Sequence, residues 1–127
     1  MNQDIPTVNC PAESGVHKVV QFLAKDGKHY LRINFGMEAP IHHIGIVSAF
    51  FDEAGIEYIT THKGVFPKGK EIEIEGAGKI DISLENRTAE LFGESTDYKV
   101  EISQKGVEAI RQEYPGWTIS HNPRRFK

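Results

Sequence analysis

The sequence predicts an α+β fold, a mainly antiparallel six-stranded sheet flanked by two helices. Apolar and polar residues alternate in short stretches, most strictly in Glu71-Ile72-Glu73-Ile74-Glu75 and again in Lys79-Ile80-Asp81-Ile82-Ser83-Leu84, which is the pattern of half-buried strands. Helical spacing occurs in only two places, from His42 and after Ser103. The extended stretches lie next to one another with short polar breaks, which suits hairpins better than the long crossovers of a parallel sheet.

Residues 1–14 mix Asn, Gln, Asp, Pro, Thr and Ser without apolar periodicity and read as an irregular arm. Val16–Ala24 and Tyr30–Phe35 are rich in β-branched and aromatic residues, and Lys25-Asp26-Gly27-Lys28 supplies the turn of a hairpin. Gly36–Pro40 breaks the extended run and leads into a helix at about 42–54. There Ile44, Val47 and Phe51 recur at helical spacing, Ile46, Phe50 and Ala54 widen the stripe, and Gly55 stands where a helix stops. Ile56–Thr61 reads as extended and Lys63–Gly69 as a loop. Glu71–Glu75 is a strand with its isoleucines inward and its glutamates on a solvated face; Gly76-Ala77-Gly78 ends it, and Lys79–Leu84 forms the next. Glu85-Asn86-Arg87 turns the chain into Thr88–Phe92, a further antiparallel strand. Gly93–Val100 is polar and irregular. Ser103 is placed to cap a second helix whose buried side is Val107, Ile110 and Tyr114, Pro115-Gly116 stops it, and Trp117–Ser120 makes a last short strand. With no repeat and no linker, residues 15–121 form a single domain between the arm and a short basic tail, 122–127.

A chain of 127 residues can bury its own core, and 39% hydrophobic with 26% charged residues is the balance of an ordinary globular protein. No run approaches the roughly 18 to 20 apolar residues of a membrane span. The first residues lack the basic-then-apolar layout of a signal peptide, so a cytoplasmic location is expected. The single cysteine, Cys10, cannot form an intrachain disulfide, and its polar surroundings do not suit a catalytic thiol. A net charge of −3 invites neither nucleic acid nor an acidic membrane, and Arg124-Arg125-Phe126-Lys127 is too short a patch to change that and reads as a solvated, frayed terminus.

The chemistry concentrates at His42-His43. The first turn of a helix carries N–H groups without partners and the positive end of the dipole, so an anion is favoured there, and an adjacent imidazole can exchange a proton near neutral pH. Gly76-Ala77-Gly78-Lys79 is small and able to turn N–H groups toward an anion with a cation beside it, but the Walker spacing is absent. No metal is expected: adjacent histidines point in different directions, and His17, His29, His62 and His121 make no H-x-H or H-x-x-x-H pair. No G-x-S-x-G supports serine hydrolysis.

From Gly69 onward the chain resembles the Janus/Ocnus family, the small phosphohistidine phosphatases. The residues that carry the resemblance are Gly69, Gly76-Ala77-Gly78-Lys79-Ile80, Gly93, Ser95, Tyr98, Ile110 and Tyr114-Pro115, which fall in without a gap. Upstream, Gly15-Val16-x-Lys18 is similar to the strand that supplies the family's substrate-contacting lysine, and Pro40–Gly55 to its catalytic histidine and following helix. The resemblance implies a sheet flanked by two helices and a metal-independent, cofactor-free phosphatase. It makes His43 the catalytic histidine, with His42 as the other register, Lys18 a phosphate contact, Ser95, Thr96 and Asp97 the loop around the phosphate, and Lys79 a stand-in for the usual arginine. Two features depart from the family: Asp97 replaces a small residue, and roughly ten extra residues, Ile56 to about Lys68, follow the helix. The expected substrate is a phosphorylated protein or small phosphoramidate, with His43 activating water or accepting the phosphoryl group itself. A non-catalytic phosphoprotein-binding module of the same fold is the alternative, and an interaction domain pairing through a sheet edge is a third reading.

Overall fold

The computed structural model describes residues 1–2, 4–9, 13–34 and 42–126. Cys10, the end of the second predicted strand at Phe35, the break at Gly36–Pro40 and Lys127 lie outside them. The elements in order are β1 (Gly15–Ala24), β2 (His29–Ile33), α1 (His43–Ala54), β3 (Tyr58–Thr61), β4 (Gly64–Pro67), β5 (Ile72–Ser83), β6 (Thr88–Phe92), β7 (Glu94–Ser95), β8 (Val100–Glu101), α2 (Gln104–Glu113) and β9 (Thr118–His121). The class is α+β with two helices, as expected. The main sheet differs: it has five strands in the order β2-β1-β5-β6-β9, and it is mixed.

Three local causes account for the difference. Gly76-Ala77-Gly78 does not end a strand; β5 runs through it as one long strand paired with β1 on one side and β6 on the other. The glycines are needed for close approach. A Cβ on Gly76 would crowd the amide of Gln21 and the backbone at Glu101 and Ser103, and one on Gly78 would run into the carbonyl of Phe92. Next, β9 pairs parallel with β6, because α2 carries the chain back to the end of the sheet where β6 began. Finally, Tyr58–Thr61 leaves the main sheet and forms a separate hairpin with Gly64–Pro67, which lies inside the stretch Lys63–Gly69 that reads as loop.

A bulge in β5 sets which side each residue faces. Phe22 pairs with Ile74 and Gln21 with Gly76, so Glu75 is the extra residue. Before it, Ile72 and Ile74 pack under α1 with Phe22; after it, Ala77 stays on the α1 side while Ile80 and Ile82 join the other. The carboxylate of Glu75 is consequently not on a solvated face but bonded to His29 Nδ1 at 3.2 Å, beside α2.

The α1 side gathers Val20, Phe22, Tyr30, Phe50, Phe51 and Val65, and the Phe22 and Phe50 rings stack at 4.1 Å. Helix α1 ends where expected, at Gly55 in the left-handed conformation (φ 70°). The α2 side is aliphatic, with Val19, Leu31, Ile80, Leu91, Val107 and Ile110 at its centre. Helix α2 begins at the predicted cap: Ser103 Oγ accepts from Gly106 N–H at 3.3 Å, and buried Gln21 bonds both the N–H and the C=O of Ser103, tying β1 to the helix start. The arm is ordered along β2, with Thr7 C=O accepting from Leu31 N–H at 2.7 Å. Buried Arg32 locks it there, reaching Pro6 and Thr7 carbonyls and the Glu53 carboxylate of α1. Residues 122–126 of the tail are also docked rather than frayed, since Arg125 lies on β5 and β6. No helix among the described residues is long and apolar enough to cross a membrane.

Candidate functional site

Helix α1 turns the two histidines in different directions. His43, Ile46, Val47, Phe50 and Ala54 fall at i, i+3, i+4, i+7 and i+11, one buried stripe, so His43 turns inward at its first position. It is 7% exposed. His42 is the cap residue, extended (φ −111°, ψ 161°) and exposed, and its side chain caps nothing. No acidic residue stands in the first turn, so the positive end of α1 is not neutralised from within.

The ring of His43 has a fixed orientation. Nε2 lies 2.8 Å from the carbonyl oxygen of Gly78; a carbonyl can only accept, so Nε2 carries the hydrogen and Nδ1 is left as the lone-pair nitrogen. At the same residue, the absence of a Cβ lets β5 close on the Phe92-Gly93 backbone. Burial pushes the His43 pKa below the ordinary 6.5, against the bond to Gly78, which favours the charged ring; Lys18 and His42 lower it further and Asp97 raises it. The imidazole is therefore neutral at pH 7.

Lys18 and Lys79 are direct partners in the β1–β5 ladder. They project from the same face as Val20 and Ala77, the face that α1 covers. The backbone of Lys18 is held on both sides by Asn34, whose Oδ1 accepts from Lys18 N–H at 2.5 Å and whose N–H donates to Lys18 C=O at 3.0 Å. Two ammonium groups opposed on one sheet face repel each other unless an anion lies between them.

The 95–97 loop is reached differently from the expectation. Ser95 is buried and its Oγ accepts from Tyr98 N–H at 3.3 Å, so the hydroxyl shapes the turn instead of facing solvent. Thr96 and Asp97 form the exposed tip, and the Asp97 carboxylate is close enough to act on His43. The extra segment holds this turn: Tyr98 OH donates to Val65 C=O at 3.0 Å and accepts from Val65 N–H at 3.1 Å, and its ring packs edge-on against Phe66. Burial raises the Tyr98 pKa, so the phenol stays protonated for that bond.

Structure thus brings together His43, Lys18 and Asp97, places Lys79 beside Lys18, and sets Ser95 behind the loop. Sequence reasoning cast Gly78 as a source of N–H groups and missed its carbonyl as the partner of His43, which leaves no side-chain signal, and it missed Tyr98 as a latch, whose only sign was a tyrosine three residues after Ser95. No cluster of three or more metal-binding side chains occurs among the described residues. Neither a protein-family model nor a curated protein sequence matches the chain, so its chemistry is argued from this geometry.

Proposed function

We propose that the chain is a phosphatase of the Janus/Ocnus kind, removing a phosphoryl group from phosphohistidine on a protein or from a small phosphoramidate. The observation that carries this is the buried, neutral His43 at the start of α1, with Nε2 pinned by Gly78 and Nδ1 left to take a proton from water or to attack phosphorus. The opposed ammonium groups of Lys18 and Lys79 and the positive end of α1 supply the charge that three phosphoryl oxygens need. A P–N bond breaks readily once its nitrogen is protonated, so holding the group in line and steering the nucleophile is the larger part of the task. The test is hydrolysis of a phosphohistidine peptide by the intact chain and by His43→Ala and His42→Ala: loss in the first alone supports the assignment, and loss in the second alone moves the role to His42. A phosphorylated His43 trapped by rapid quench makes the imidazole the nucleophile; full turnover with none makes water the nucleophile.

Asp97 favours a second reading, a module that binds phosphorylated proteins without turning them over, because a carboxylate beside a phosphate weakens the field that stabilises a transition state. Micromolar binding of the same peptide with no phosphate release selects it.

A further inference from the structure

One face of the sheet carries two charged pairs side by side. Lys18 and Lys79 oppose each other across β1 and β5; Asp81, two residues further along β5, opposes Glu90 of β6 on the same face. Carboxylates placed directly opposite each other destabilise a sheet unless a cation sits between them. The chain fills that place with its own tail: Arg125 Nη1 donates to Asp81 Oδ2 at 3.0 Å and to Glu90 Oε1 at 2.8 Å, and the guanidinium carbon stands 3.9 Å over the Phe92 ring. Phe92 is fully buried and presents a flat π surface two residues along from Glu90. A planar cation can stack on that ring while bonding both acids; an ammonium cannot do both equally well. This seat opens onto a cleft of about 330 Å³ whose walls include Arg125 itself and the hydroxyl residues Ser83, Thr88, Thr118 and Ser120.

We infer that the seat formed by Asp81, Glu90 and Phe92, with the cleft it opens onto, is a guanidinium subsite that recognises an arginine side chain on the partner protein, and that Arg125 occupies the seat until such a partner displaces the tail. The partner's being a phosphoprotein rests on the function proposed above; the subsite itself does not. Asp81 lies two residues past Lys79 on one strand face, roughly 7 Å away. An extended peptide with its phosphoryl group over the lysines therefore sets an arginine two or three residues away into the cleft. The self-contact is suited to exchange: the side chains of Arg125, Asp81 and Glu90 remain 31%, 40% and 34% exposed, and Phe126 beside them is 72% exposed. Such half-exposed pairs can be reached from solvent, where a competitor of the same chemistry meets the same two acids.

The experiment uses unphosphorylated peptides, so that it is independent of catalysis. Binding of Ala-Ala-Arg-Ala and Ala-Ala-Lys-Ala to the full chain is measured by calorimetry for wild type, Arg125→Ala, and Arg125→Ala combined with Asp81→Asn and Glu90→Gln. Emptying the cleft should tighten the arginine peptide at least tenfold over wild type and leave the lysine peptide well behind, and neutralising the acids should abolish the gain. No gain in Arg125→Ala, or equal binding of the two peptides, overturns the subsite. Should Arg125→Ala fail to fold, excess arginine peptide added to the wild-type chain should shift the NMR signals of Phe92 and Arg125 together, and unmoved signals overturn it equally. If the arginine peptide binds but no phosphohistidine peptide is hydrolysed, the phosphatase reading falls and the subsite stands. If both hold, kcat/KM for a phosphohistidine peptide rises when arginine replaces alanine two or three positions away.

Discussion

The side of the sheet under α1 is packed by rings and charge, Phe22, Tyr30, Phe50 and Phe51 with Arg32 4.8 Å over Phe50, whereas the side under α2 is filled by Val, Leu and Ile. The ring side carries His43 and the Lys18 side chain that acts on it. Among the described residues the aliphatic side buries no charged side chain at its centre, and it leaves an apolar cavity of about 70 Å³ between the sheet and α2, bordered by Leu31, Ile80, Leu91, Ile110 and Trp117. Stacked rings and a guanidinium with five donors have few equivalent arrangements, so they fix the C-terminal half of α1 against β1 and β2, and the helix carries His43 at its other end. Aliphatic chains can settle in several ways, which suffices for a layer whose role is to adhere. Placement of chemistry and slack in packing are thus divided between opposite sides of one sheet.

The comparison breaks first at His43. His43→Ala should cut phosphohistidine hydrolysis by about 10² to 10⁴, while Ile110→Ala, on the other side, should leave the rate of the folded protein essentially unchanged; a large rate loss in Ile110→Ala would show that the sides are coupled. Next comes stability. Phe50→Ala should cost about 3 to 5 kcal/mol and Ile110→Ala about 2 to 3, the lower value because α2 can settle into the space it adjoins; equal costs in urea melts would remove the distinction. The pH dependence sharpens it further. His43 titrates below 6.5 in the folded protein and at 6.5 in the unfolded chain. Between those values the unfolded state binds more protons, so the contribution of neutral His43 is present above pH 6.5 and is lost as pH falls. His43→Gln should flatten that slope in thermal melts, and Ile110→Ala should not. Ala89→Val, filling the α2-side cavity, should stabilise by about 1 kcal/mol. Smallest is Tyr30→Phe: its hydroxyl is buried and finds no hydrogen-bond partner among the described residues, so removing it should raise stability by roughly 0.5 kcal/mol. A loss instead would mean that the phenol is satisfied.

Elements that rest on local spacing were readable in the sequence: the stripe of α1, its stop at Gly55, the Ser103 cap, and the β5–β6 hairpin. What escaped depends on contacts between distant parts of the chain. Gly76 and Gly78 look like a turn because their reason for being glycine lies in Ser103 and Phe92, which arrive from elsewhere. Arg32 drew no notice within the stretch Tyr30–Phe35, and only the arm and Glu53 make it a buried clamp. The parallel pairing of β9 follows from where α2 docks, and the hairpin β3–β4 from Tyr98. At the site, the two histidines and Lys18 were legible, but their register was set by the apolar stripe, and the tail arginine was misread because its partners lie on β5 and β6.

The extra residue at Glu75 makes β5 behave like a reading frame. Removing it would shift every downstream position by one face, turning Ile80 and Ile82 toward α1 and driving Lys79 and Asp81 into the aliphatic layer, with both charged pairs lost in a single step. A codon lost at Glu85-Asn86-Arg87, by contrast, shortens only an exposed turn. Lineages of this protein should therefore vary freely in length between β5 and β6 and hardly at all between Ile72 and Gly78.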